Sequence, residues 1–187
     1  MKMNYMIRDK VKRCVLMFFS LLLLTFSTAI YACGDNPNAI IHGPFKDKSF
    51  FDGRVCFQNT PDKRNIDFYL SFNKNGEKYS SKVDTFFYSD APVELMSVFF
   101  TPVNGVRNIV VLLRWHVNYK NNDTEYSYYY EVKTYKAIKG EGYVKNLDGD
   151  KEPELSGYQT KNNGKITKFL LDDAAKIKKF LHDKYGE

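Results

Sequence analysis

Residues 109–113 (Ile109, Val110, Val111, Leu112, Leu113) are apolar without interruption, and Trp115 follows after Arg114. A strand covered on both faces carries apolar side chains at every position, and this run is too short for so hydrophobic a helix. Residues 108–119 therefore predict the central strand of a sheet. Elsewhere the pattern has a period of two. Ile66, Phe68, Leu70 and Phe72 alternate with Asp67, Tyr69 and Ser71, which predicts a strand with one apolar face. Asn75-Gly76 follows, the dipeptide that two-residue hairpins favour. The chain then returns over residues 78–88, with Val83, Thr85 and Phe87 on one face.

The same reading predicts a strand over residues 49–58, with a turn or bulge at Asp52-Gly53, after an irregular lead-in at 34–48. Residues 94–101 and the central strand form a second hairpin broken at Val103-Asn104-Gly105. A polar turn at 120–124 leads to a strand over 125–138, with Tyr126, Tyr128, Tyr130 and Val132 on one face. Ser127, Tyr129, Glu131, Lys133 and Tyr135 fall on the other. Helical spacing appears near the C-terminus. Asp172 caps it and Asp173 sits in the first turn, while Ala174, Ile177, Phe180 and Leu181 form one apolar stripe that Gly186 ends. Short turns between consecutive strands make an antiparallel meander the economical topology. The expected class is α+β, mainly β: an antiparallel β-meander sheet with a C-terminal helix packed on it, in one domain spanning 33–187.

The first 32 residues stand apart. Lys2, Arg8, Lys10, Lys12 and Arg13 precede an apolar stretch over 14–31 that ends in small residues before Gly34-Asp35-Asn36-Pro37. That order predicts a secretory signal peptide removed after Ala32, with a retained membrane anchor as the alternative. This changes the charge picture. The chain is +6, but residues 1–32 hold five of its 28 Lys and Arg and one of its 22 Asp and Glu, so the remainder is +2. Composition thus argues against a nucleic-acid partner.

Of three cysteines, Cys14 lies in the leader. Cys33 and Cys56 remain, an even number in an exported chain, which predicts one disulfide. The loop it closes is of a size worth roughly 3–4 kcal/mol in the chain-entropy model. The alternative is acylation of Cys33, since Ile30-Tyr31-Ala32-Cys33 resembles a lipobox, and the protein would then be lipid-anchored in the envelope.

Residues 146–155, Asn-Leu-Asp-Gly-Asp-Lys-Glu-Pro-Glu-Leu, place oxygen side chains at alternate positions, as a hard cation such as Ca²⁺ requires. The stretch resembles the Asp-rich loops of FG-GAP-type β-propeller repeats. That resemblance implies Asn146, Asp148, Asp150 and Glu154 as calcium ligands, with Lys151 standing where the family has a glycine. A polar turn between strands is the alternative.

Catalytic signals are thin. His42, His116 and His182 lie far apart and none pairs at metal-ligand spacing. The sequence contains no GxSxG, HExxH or phosphate-cradling glycine loop, so no catalytic residue is nominated. Tyrosine suits interfaces, being apolar in body and polar at its tip. Tyr129, Glu131 and Tyr135 are accordingly the expected partner-contacting side chains. In organisation the chain resembles small exported, periplasmic proteins of Gram-negative bacteria. The expectation is a periplasmic module that binds another protein, for example an inhibitor or a toxin-neutralising immunity protein. The alternatives are a calcium-stabilised envelope domain and a carboxylate-dependent hydrolase.

Overall fold

The computed structural model describes residues 33–186, so the expected signal peptide and its cleavage site lie outside the described residues. Strands β1 (Ile40–Asp47), β2 (Gly53–Asn59), β3 (Ile66–Lys74) and β4 (Glu77–Phe86) form a four-stranded antiparallel sheet in chain order. After residues 89–92 the chain enters a second sheet, where β5 (Val93–Val103), β6 (Val106–Asn121) and β7 (Thr124–Ile138) make another meander. The mainly-β class with a helix on a sheet is observed, but the strands divide between two sheets.

The far edge of β7 is used twice. β8 (Gly142–Lys145) pairs with residues 135–138, and β9 (Ser156–Asn162) pairs with residues 124–131. β10 (Lys165–Thr167) extends β9, and helix α1 (Ala174–Tyr185) follows. Asn75-Gly76, Asn104-Gly105 and Asn163-Gly164 all have positive φ at both residues, which is the type I′ geometry whose twist matches the strands it joins.

The pattern of β6 explains the layering. Ile109, Val111, Leu113 and Trp115 face the first sheet, in a core with Val55, Phe57, Phe68 and Leu70. Val110 and Leu112 face the other way, in a second core with Ile177 and Leu181 of α1 and Leu155 and Phe169. Residues 109–113 are all at most 1% exposed. The first sheet, the second sheet and the helix therefore stack in three layers, with β6 in the middle one.

The Cys33–Cys56 disulfide forms on the outer face of the first sheet, where both residues are buried with Tyr69. A bridged Cys33 has no thiol left to acylate. The bridge is consistent with an oxidising, exported setting, and no helix among the described residues is long and apolar enough to cross a membrane.

Two sequence expectations shift. The lead-in is not wholly irregular, because residues 40–47 are β1. That strand is an edge with register shifts around Gly43-Pro44 and mostly exposed side chains, so it carries no apolar alternation. The helix cap moves by one residue: the Asp173 side chain accepts from the Lys176 N–H, and Asp172 pairs with the Lys176 ammonium instead.

The second core closes over a glycine. A Cβ on Gly157 of β9 would stand 2.7 Å from a ring carbon of Phe169, whose ring stacks on Tyr130 at 5.5 Å. Gly157→Ala forces that ring off the sheet, and overpacking of this kind costs typically about 1–3 kcal/mol. A lowered urea midpoint with an unchanged slope is expected; a midpoint equal to that of the unsubstituted protein would refute the close approach.

Candidate functional site

The sheets part at one end of the sandwich. There the end of β4 and residues 87–90 face β6, β7, β8 and β9 across a cleft of about 470 Å³. Two kinds of wall line it. One is aromatic: Trp115, Tyr129 and Tyr158 from the second sheet, with Phe87 and Tyr88 opposite. The other is charged: Asp84, Glu131, Lys133 and Lys145.

The aromatic wall belongs to a longer row. Ring contacts run from Trp115 to Tyr129 (5.8 Å), Tyr129 to Tyr158 (5.0 Å), Tyr158 to Tyr126 (5.3 Å) and Tyr126 to Tyr119 (5.6 Å). The expected face of β7 is corrected here. A bulge around Ser127 shifts the register against β9, and a matching irregularity lies between His116 and Tyr119 on β6. The bulge turns Tyr126 onto the same face as Tyr129. Tyr128 and Tyr130 remain on the helix side, packed on the second core. Tyr119 and Tyr158 are about half exposed, at 57% and 48%, so much of the row is open to solvent.

The charged wall is a wired network. Lys133 pairs with Glu131 at 2.5 Å. The Lys145 ammonium stands between Asp84, at 3.7 Å, and Asp148, at 3.5 Å. Burial works against that ammonium, but the two carboxylates outweigh it and hold its pKa above the usual lysine value. Asp148 is 3% exposed, and its Oδ1 has no hydrogen-bond partner. The Tyr135 hydroxyl donates to Asp84 Oδ2 at 2.6 Å, across the gap between the sheets. The Trp115 indole N–H also crosses, to the carbonyl of Phe87 at 2.9 Å.

The sequence-derived contact residues therefore separate. Tyr129 and Glu131 line the cleft, but Tyr135 is 1% exposed and packs edge-on against Phe68 at 5.3 Å. Its place is the core, because the face opposite the helix is covered by the first sheet at that end of β7. Asp84, Lys145 and Tyr158 belong to the cleft and were not read from the sequence.

The four residues of the calcium expectation do not converge. Asn146 donates from its side chain to Asn108 Oδ1, and its backbone continues the β7 ladder at Thr134. Asp148 turns inward to Lys145, while Glu154 reaches outward to Lys184 of α1. Asp150 is exposed. The Asp148 carbonyl accepts from the N–H groups of Lys151 and Glu152, which makes the stretch a tight polar turn. Among the described residues, no group of three or more His, Cys, Asp or Glu side chains is arranged to hold a metal ion.

Tyr135 is not alone among the described residues in bonding its phenol to a carboxylate. Tyr69 donates to Asp35 at 2.7 Å, and Tyr143 donates to the buried Asp47. Burial first, and the neighbouring carboxylate second, pushes all three phenols well above the ordinary tyrosine value. A raised phenol pKa favours the folded state fully below the unfolded value of about 10, and that contribution is lost as the pH climbs above it. The urea midpoint is expected to fall steeply between about pH 9.5 and pH 11. Tyr135→Phe should be about 1 kcal/mol less stable near neutrality, having lost its bond to Asp84, yet show a shallower alkaline fall. An alkaline fall of undiminished slope in that variant would contradict the assignment.

Compared with protein-family models, curated proteins and solved structures, the chain matches none.

Proposed function

We propose that the protein is an exported binding module that acts by occluding a protein partner, in the manner of an inhibitor or an immunity protein of the periplasm. The observation that carries this reading is the row of rings that runs from buried Trp115 through Tyr129, Tyr126 and Tyr158 to Tyr119 and becomes open to solvent as it leaves the cover of the first sheet. Large rings left in water cost free energy that a partner recovers by covering them. Tyrosine loses little conformational entropy when it does so.

The scaffold supports this use. Strands β6 and β7 run 16 and 15 residues; β6 buries residues 108–113 and Trp115, β7 buries Tyr130, Val132, Thr134 and Tyr135, and Tyr119, Tyr126 and Tyr129 lie toward the ends beyond these anchors. A ligand surface built on strands this firmly anchored needs little reorganisation to bind, and preorganisation is what converts contact area into affinity. The disulfide supports the exported setting.

The test is affinity capture with the tagged chain from envelope extracts, followed by reconstitution with whichever stoichiometric partner is found. Tyr158→Ala, a substitution at a half-exposed position, should leave the melting temperature within a few degrees. It should raise the Kd by tenfold or more, the equivalent of about 1.4 kcal/mol. A partner that binds the variant as tightly as the unsubstituted protein would show that the ring row is not the contact surface.

A further inference from the structure

The chemistry of the cleft specifies what part of a partner enters it, an inference that rests on the binding role proposed above. Its lining carries Asp84, Asp90 and Glu131 against Lys133 and Lys145. Asp148 is buried beside Lys145, so the balance is four carboxylates to two ammoniums. A concave surface with low-dielectric walls concentrates the field of that excess negative charge. The rings act in the same sense, because an aromatic face carries negative quadrupole density and attracts cations.

The resident lysines do not cancel this field. Lys133 is consumed by Glu131 at 2.5 Å. Lys145 shares one charge between two carboxylates at 3.5 and 3.7 Å, distances longer than good hydrogen bonds. Each ionised carboxylate has lone pairs for about four donors. Asp84 uses two, for the Tyr135 hydroxyl and the Thr85 N–H, and Asp148 Oδ1 uses none. Acceptor capacity is in surplus and aromatic faces stand beside it.

The geometry points to the cleft as a receptor for a basic side chain of the partner, arginine in preference to lysine, stacked on the Trp115–Tyr129–Tyr158 wall and bonded to Asp84 and Glu131. A guanidinium is planar, stacks on rings, and offers five donors in a fixed fork that carboxylates match. An ammonium brings a compact, more strongly hydrated charge and gains less from the wall. An uncharged polar group gains nothing from the field, and an acidic one is repelled.

Trp115 is the chain's one tryptophan and lines the cleft, so its emission reports occupancy directly. The probes are N-acetyl-arginine amide, its uncharged isostere N-acetyl-citrulline amide, and N-acetyl-glutamate amide, each titrated into the purified protein at low salt. Arginine should give a saturable change that weakens as salt is added, binding about fivefold or more tighter than citrulline, with glutamate silent. Glu131→Gln, isosteric with the native residue, should weaken arginine binding about fivefold. Lys145→Gln, which removes a resident charge and keeps a donor for Asp148, should strengthen it. Opposite changes in two folded variants cannot come from misfolding. Equal responses to arginine and citrulline, an unchanged affinity in Glu131→Gln, or a silent arginine titration would each overturn the assignment. If arginine is silent while a captured partner still depends on Tyr158, the charge reading falls and the binding role stands. If no Tyr158-dependent partner exists either, both fall.

Discussion

Burial of both faces of β6 is the constraint on which the rest of the structure depends. Residues 109–113 are apolar at every position, so no orientation leaves one face in water at an acceptable cost. One cover, the first sheet, suits Ile109, Val111 and Leu113; a second, α1 with Leu155 and Phe169, suits Val110 and Leu112. The chain order follows from that requirement. Hairpins before β6 build one lid, and the segment after β7 must travel far enough to place the helix on the other side. The double use of the β7 edge by β8 and β9 is how it travels.

The proposed contact surface begins where cover runs out. β6 and β7 are longer than the core they serve, and their outer halves lack a lid on the side facing the first sheet. The aromatic residues there are continuous with the core: Trp115 is buried, Tyr129 half-buried and Tyr158 half exposed. A graded passage from core to surface keeps the rings rigid while leaving their faces available. The charged wall below, tied through Lys145 and Tyr135 to Asp84, keeps that end of the sandwich from closing on itself as a second apolar core.

How much of this was legible in the sequence depends on how each residue signals its surroundings. Residues 109–113 announced themselves because burial on two faces leaves an unbroken apolar run. Ile66 to Phe72 did so because burial on one face leaves alternation. The strands β8, β9 and β10 escaped, since β9 buries no residue fully, β10 exposes all three of its residues and β8 is four residues long. The cleft was invisible for a different reason. Asp84 and Lys145 meet from opposite sheets, 61 positions apart, and no local pattern records such a pairing. In the 146–155 stretch, alternate oxygens look alike in sequence whether they converge on a cation or, as here, point apart to Asn108, Lys145 and Lys184. At Ser127, one extra residue reversed the face of Tyr126, a slip that periodicity counts cannot detect.

Two flat apolar surfaces can slide over one another with little change in contact area, so hydrophobic packing alone defines a family of sandwich alignments. The polar bridges between the sheets remove that freedom. Tyr135 to Asp84, Tyr143 to Asp47 and Trp115 to the Phe87 carbonyl join different pairs of strands at separate places across the interface. A shift of one residue in any direction would break all three bonds and cost the buried Asp47 carboxylate and the Tyr135 and Tyr143 hydroxyls these partners. These bridges add little to the total driving force for folding, yet they select one alignment from many. The mouth between the sheets thereby acquires a single shape.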